Sequence, residues 1–522
     1  LQRLAQRRDL VARQARDALA HRDGVDLEKE DQIVEQRRHQ AGQDHLAIGD
    51  LQELGDEVVV ISPLYNMVRD NADVQGLELE SNAGPQVSVP IGDFEQTAEV
   101  VRGRLPGSGV EVYFLENDHY YDRPGLYTNP ENGNDYQDNS ERFIFLSRAA
   151  LELLDRLDWQ PDIIHSHDWQ TGLVPVYLEH KYRADFPETS SAFTVHNLAY
   201  QGLFWHWDMK LTGLSWDLFN WRMLEYYGNL SLLKAGLVGA DVLTTVSEQY
   251  AREIQTEEYG MGMHGVFQQR SDDLFGIVNG VDYEVWNPAT DERIAANYSP
   301  DDLSGKKQCK RALQQEFCLP EDEDAPVVGM IGRLVEQKGI DLVAEGMDEL
   351  VRRNIQMVIL GTGEDYYHDM LNSLHERYPD HVGLHLGFDE SMAHRIEAGS
   401  DMFLMPSRFE PCGLNQLYSM KYGTVPVCSA TGGLVDTVVD HEEGAGSMSD
   451  ATGFLFQSHC VVEMVEAMDR ALRVYQNHPD KWRRLQLRGM EQDWSWSRSA
   501  AEYREIYERS RQRLLESTGA RG

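Results

Sequence analysis

The chain has 522 residues, 41% of them hydrophobic, and a formal net charge of -39. That length exceeds what one hydrophobic core usually serves, so two or three domains are expected, and no apolar run approaches the roughly 20 residues needed to cross a bilayer. The acidic balance argues against a nucleic-acid partner, which needs basic patches to release counterions. The first residues lack the apolar stretch of a secretory signal, so a soluble, cytoplasmic protein is expected. Cys309, Cys318, Cys412, Cys428 and Cys460 form no CxxC pair, which speaks against a zinc site or disulfide scaffold and fits a reducing compartment. Of 48 basic residues only 10 are lysine, against 87 Asp plus Glu. A lysine-poor acidic surface suits work at high intracellular salt, and ordinary acidic solubility is the plainer alternative.

Residues 1–50 are rich in Arg, Gln, His and Asp and contain no Phe, Tyr, Trp, Cys or Met, so they read as a solvated helix or a disordered arm. From Leu51 the character changes. "EVVVIS" (Glu57 to Ser62), "VEVYFL" (Val110 to Leu115), "DIIHS" (Asp162 to Ser166), "SAFTVH" (Ser191 to His196) and "DVLTTV" (Asp241 to Val246) are short apolar runs between helical segments. This is the pattern of a parallel sheet covered on both faces, and it defines one α/β domain over residues 51–275. A second series opens near "FGIVNGVD" (Phe275 to Asp282) and passes the acidic "PEDEDAP", which reads as a solvated loop rather than a metal-binding DxD. It continues through "PVVGMIG", "IQMVILG", "GLHLG", "DMFLMP", "VPVCS" and "GFLF", with helices expected over Ile340 to Arg353 and Asp365 to Arg377. Residues 276–490 are thus a second α/β domain. Residues 491–522 form a long amphipathic helix, free to cross back to the first domain.

Doubly wound sheets bind ligands beyond the carboxyl ends of their strands, where loops and helix starts supply N–H groups. In the second domain those positions hold Arg333 and Lys338, the "GTGE" turn (Gly361 to Glu364), "PSRFEPCG" (Pro406 to Gly413) and "ATGGL" (Ala430 to Leu434). Singly each is weak: the turn is an ordinary strand-to-helix connection and Arg333 an ordinary surface ion-pair partner. Together they describe a pocket for a nucleotide diphosphate. Arg333 forks across two phosphate oxygens, Lys338 acts as a mobile point charge, and Gly432 and Gly433 let backbone amides reach the same anion. Glu410 is placed to bond sugar hydroxyls or stabilise positive charge at an anomeric carbon, and simple complementarity to the following helix start competes with that reading. In the first domain Asp168 and His196 end two strands and face the pocket from the other side.

In order and spacing, "HSHDWQTGL", "TVHNLAYQG", "GIVNGVD", "GRLVEQKGID", "SRFEPCGLNQLYSMKYG" and "TGGLVDTV" resemble the bacterial and plant glycogen/starch synthases, from about Leu51 to about Tyr507. The resemblance implies a GT-B fold: α/β, with two Rossmann-like doubly wound domains and an interdomain cleft. It implies a retaining transfer of glucose from ADP-glucose to the non-reducing end of an α-1,4-glucan, with no metal and no cofactor beyond the donor. Arg333 and Lys338 would hold the donor diphosphate and neutralise the leaving group. Glu410 would contact the donor glucose, with Cys412, Gly413 and Leu414 beside it and Gly361, Gly363, Thr431, Gly432 and Gly433 completing the donor side. His196 would hydrogen-bond the sugar near the reaction centre, and Asp168 and Asn197 would complete the sugar and acceptor side. Many related retaining transferases carry a second Glu eight positions after the first; here that position is Tyr418, as in the synthase branch.

The family also opens with a strand and a Lys-Thr-Gly-Gly-Leu loop, and no such pattern precedes Leu51. This implies either a mis-assigned start over residues 1–50 or a divergent, catalytically impaired lineage. Three alternatives stay open on the residues alone: a UDP-glucose transferase of the same fold, a non-catalytic glucan-binding or regulatory homologue, and, with no local pattern in its favour, a phosphorylase. The cleft itself predicts domain closure on substrate.

Overall fold

The protein is described from a computed structural model, which covers residues 48–71, 77–81, 83–130, 132–441 and 450–519. The expectations for residues 1–50 lie almost wholly outside the described residues.

The first domain contains two four-stranded sheets. In one, β1 (Val59–Pro63), β2 (Val87–Ile91), β3 (Phe94–Arg104) and β4 (Glu111–Glu116) lie in the order β1-β4-β3-β2, with β1 parallel to β4 and the rest an antiparallel meander. The β2–β3 hairpin is absent from the sequence reading because its strands alternate apolar and polar residues instead of running continuously apolar. Gly92, at a φ of 59°, makes its tight turn. In the other sheet, β5 (Ile163–His167), β6 (Ser190–Val195), β7 (Val242–Thr245) and β8 (Leu274–Gly276) run parallel in the order β8-β7-β6-β5. Helix α1 (Asn139–Arg156) packs against β2 and β1, and one hydrophobic core runs from Val87 and Val89 through Phe143 and Phe145 to Phe193 and Leu243. The boundary drawn between residues 275 and 276 falls within β8, which pairs with β7 in the first domain's sheet.

The second domain is one six-stranded parallel sheet made of β9 (Val327–Ile331), β10 (Gln356–Gly361), β11 (Val382–Leu386), β12 (Met402–Met405), β13 (Val425–Ser429) and β14 (Phe454–Phe456). Their order, β11-β10-β9-β12-β13-β14, reverses direction between β9 and β12, so the loops leaving these two neighbouring strands diverge to opposite faces and open a crevice. Every residue of β10, β12 and β13 is buried, as a parallel sheet covered on both sides requires.

The last helix, Trp496–Gly519, leaves the second domain and packs on β5, β6 and β7 of the first. Ser510 Oγ donates to the Ser191 carbonyl at 3.1 Å, and the Tyr507 hydroxyl lies 2.9 Å from His165 Nδ1. No helix among the described residues is long and apolar enough to cross a membrane.

Candidate active site

The site forms where β9 and β12 release their loops. The loop after β9 is stitched to the one after β10: Gly332 N–H donates to the Leu360 carbonyl at 3.1 Å and Leu334 N–H to the Thr362 carbonyl at 2.8 Å. A side chain at Gly361 would meet the Gly332 carbonyl oxygen at 2.1 Å, so this glycine is required by the packing of one loop on the other. Gly363 meets Leu334 in the same way. Further on, a 3-10 turn over Glu336–Lys338 ends at Gly339, whose φ of 68° and close approach to the Pro406 carbonyl lay the Lys338 loop directly on the end of β12.

That contact brings the predicted donor-side charges together. The Lys338 ammonium donates to Glu410 Oε2 at 2.6 Å, and Ser407 Oγ donates to the same oxygen at 2.9 Å. Glu410 is buried, so the ion pair and the hydroxyl together offset its desolvation. Gln337 ties the two loops by donating from its Nε2 to the Phe409 carbonyl at 3.0 Å. Arg333 is half-buried at the rim, where its Nη1 donates across the cleft to the Tyr200 hydroxyl at 3.1 Å and its Nη2 to Gln337 Oε1 at 3.2 Å.

The "ATGGL" turn is engaged differently. Gly432 N–H donates at 2.9 Å to the carboxylate of Glu253, which ends helix α2 (Glu248–Glu253) of the first domain, and Thr431 Oγ1 reaches the same group at 3.4 Å. Gly433 N–H donates to the Glu410 carbonyl at 3.0 Å. Burial raises the Glu253 carboxyl above the usual carboxylate range. Cys412 is buried against the first domain's core, with Leu414 packed beside it, and Gly413, at a φ of 72°, turns the chain between them. The Ser247 hydroxyl donates to the Pro411 carbonyl at 2.6 Å, so the Glu410 loop is held from both domains.

On the facing wall, Asp168 stands at the end of β5 with φ 54° and ψ -175°, a region normally left to glycine, which stores about 1–3 kcal/mol of strain. Its Oδ1 accepts the His196 N–H at 2.9 Å and so fixes the start of the next loop. His167 Nδ1 lies 3.0 Å from His196 Nε2, and His165 stacks on His167 at 4.2 Å. Burial, reinforced by the neighbouring His196, lowers His165 to about 3. His167 itself is exposed at the strand end, while the His165 ring stays neutral near pH 7. Asn197 Oδ1 accepts the Ala199 N–H at 3.0 Å, which turns the chain toward Tyr200.

Beside these groups a pocket opens among Gly332, Thr362, Gly387, Phe388 and Asn415. Its wall carries Trp286, sandwiched between His394 at 3.8 Å and Tyr418 at 3.9 Å, both nearly parallel to it. A flat, mainly apolar slot next to a cationic corner fits an aromatic base joined to phosphates.

The structure therefore gathers Arg333, Lys338 and Glu410 on one wall and Asp168 and His196 on the other. Sequence reasoning missed Tyr200, His167, Glu253 and Trp286. The first two lay inside quoted motifs and only their chemistry was passed over; Glu253 and Trp286 gave no local signal, since their partners lie 179 and 132 positions away.

Two α/β domains facing each other, with a cationic corner and a base-sized slot on the wall of the doubly wound second domain, define a GT-B glycosyltransferase. Residues 47–269 match the starch synthase catalytic domain and residues 314–484 match glycosyl transferases group 1. The chain is 46% identical over 468 residues to glycogen synthase 1 of Geobacter sulfurreducens, covering 89% of this chain and 91% of that one. It is 43% identical over 462 residues to the glycogen synthase of Thermotoga maritima, covering 88% and 93%. Among solved structures it resembles the catalytic domain of starch synthase IV from Arabidopsis thaliana, bound to ADP and acarbose, with a TM-score of 0.82, 32% identity, and 91% and 96% of the two chains covered. The chain belongs to the glycogen/starch synthase family, whose members are glucosyltransferases that extend a glucan.

Proposed function

We propose that the cleft binds ADP-glucose and transfers its glucose, with the anomeric configuration retained, to the non-reducing end of an α-1,4-glucan. The observation that carries this reading is the Lys338–Glu410 pair, 2.6 Å apart at the switch between β9 and β12, with Arg333 at the same strand end. Lys338 and Arg333 receive the diphosphate and neutralise it as it leaves. An ammonium already held against a carboxylate needs little reorganisation to meet a phosphate, and a site enclosed by two domains strengthens every charge within it. Glu410 faces the donor glucose. His196, its backbone fixed by Asp168 and its ring braced by His167, faces the sugar at the reaction centre. The adenine takes the slot beside Trp286 and Tyr418, in keeping with the ADP carried by the starch synthase IV structure.

The test is a donor panel. Purified protein is given maltoheptaose with ADP-, UDP- or GDP-glucose, and chain extension is followed together with the anomeric signal of the new linkage. Extension from ADP-glucose with an α linkage is expected. Preference for UDP-glucose would move the donor assignment, and glucan binding without turnover of any donor would make the chain a non-catalytic homologue.

A further inference from the structure

Seven of the fifteen large hydrophobic side chains left exposed among the described residues lie between positions 200 and 227, and six of these seven are aromatic. Trp205 is 63% exposed and Trp221 65%. Trp205 and Trp207 lie 6.4 Å apart, Trp207 and Trp216 5.6 Å, and Trp216 and Phe219 5.7 Å, each pair edge to face, so the rings form one continuous relief. Lys210 covers one ring face at 4.2 Å from the centre of Trp207. The same segment sends Met209, Leu214, Leu224 and Leu230 into the first domain's core, so its fold is fixed from beneath while the indoles are left outside. A contiguous exposed aromatic patch on an otherwise strongly acidic protein marks a binding surface.

The patch is continuous with the cleft. Tyr200, which accepts from Arg333 at the mouth, leads into the Leu203–Trp205 strand, and that strand pairs with Asn229–Ser231. Gln201 Nε2 and the Tyr226 hydroxyl both donate to the Met261 carbonyl, at 3.0 Å each, and bind this rim to the body of the domain. A ligand leaving the site on the first-domain side would therefore run onto the indoles. We propose that this surface is a secondary docking site for the α-glucan itself, where the apolar faces of successive sugar rings stack on Trp205, Trp207 and Trp216 while Asp208, Asp217 and Lys210 meet their hydroxyls. A neutral, polyhydroxylated polymer fits a patch that is aromatic rather than aliphatic. A second copy of this chain, with net charge -39, would be repelled, and so would an anionic membrane surface.

The proposal rests on the glucan acceptor assigned above, which elongation of maltotriose by the wild-type protein tests separately. The variant Trp205→Ser/Trp207→Ser is compared with wild type by retardation in native gels containing glycogen, by initial rates on glycogen and on maltotriose, and by sedimentation velocity. The expected result is an apparent Kd and KM for glycogen raised about tenfold, as loss of aromatic stacking predicts, with KM for maltotriose and for the donor unchanged. Wild-type retardation and glycogen kinetics in the variant would overturn it. So would a wild-type dimer that the variant dissociates, because the patch would then be a self-association surface. Trp216→Gln, a milder change at another exposed ring, should show the same selective loss if the double variant folds poorly.

Discussion

The carboxylate of Glu253, in the first domain, accepts the backbone N–H of Gly432, in the second, at 2.9 Å. Gln249 Nε2 donates to the same carboxylate at 3.2 Å, and the Gln249 N–H donates across the interface to Asp436 at 2.8 Å. The two domains are thus coupled through the very turn whose amides the sequence assigned to the donor phosphate, so closure on the donor has to carry this bond along or break it. Glu253→Ala leaves a buried N–H unpaired, at a cost of about 1–3 kcal/mol. We expect unfolding free energy to fall by that amount and the radius of gyration in solution scattering to rise, while Glu253→Gln, which keeps an acceptor oxygen, stays close to wild type. Wild-type scattering and stability in Glu253→Ala would show that the bond does not couple the domains.

Lys338→Ala should lower turnover by about 10²–10³-fold, the usual effect of removing one preorganised charge from a site where charge develops. Retardation by glycogen in native gels should be unchanged, because the proposed role of the lysine is toward the donor phosphates. Lys338→Arg should recover little, since the pocket seats an ammonium at 2.6 Å from Glu410 and a planar guanidinium needs a different approach. Donor kinetics unchanged in Lys338→Ala would remove the phosphate role.

Much of this site was legible because it is built at strand ends, and strands buried on both faces announce themselves as short apolar runs. Arg333, Lys338 and Glu410 follow such runs directly, so their convergence could be read from the alternation of strands and helices. Gly361 could be located but its reason could not: the close approach of Gly332 is a tertiary fact. The β2–β3 hairpin escaped because it is half exposed, and Glu253 because its partner is contributed by the other domain. Trp286 escaped since a tryptophan stacked between His394 and Tyr418 reads, in sequence, like any core aromatic.

His167 is the next residue to test. Its Nδ1 lies 3.0 Å from His196 Nε2, so it acts on the site through that ring, which makes it a positioning residue. His167→Ala should lower kcat about tenfold with donor KM unchanged, and His167→Gln should restore part of the loss by offering the amide as a hydrogen-bond partner. Because His167 acts through the His196 ring, the variant should reproduce the shape of the wild-type pH profile at reduced height. A variant that loses an acidic limb would instead place the titration on His167 itself.

Glu397 offers a test of stability against pH. It is fully buried at the back of the second domain, where Ser419 Oγ donates to its Oε2 at 2.7 Å while Oε1 has no partner among the described groups, and burial raises its pKa to about 8. Below the ordinary value of 4.5 the carboxyl is protonated in both folded and unfolded chains and pH does not matter. Between there and about 8 the unfolded chain releases the proton while the folded chain keeps it, so stability falls as pH rises, by at most about 1.4 kcal/mol per unit. Lys306, which donates to the Ala398 and Tyr422 carbonyls at 3.1 and 3.0 Å, is lowered by burial to about 8, and its contribution changes only at and above that pH. Glu397→Gln keeps the shape and cannot ionise. Urea unfolding between about pH 5 and 7.5 should therefore show the variant gaining on wild type steadily as pH rises. Parallel pH dependences for the two proteins would mean that Glu397 is ionised in the folded chain, with Lys306 as its counter-charge.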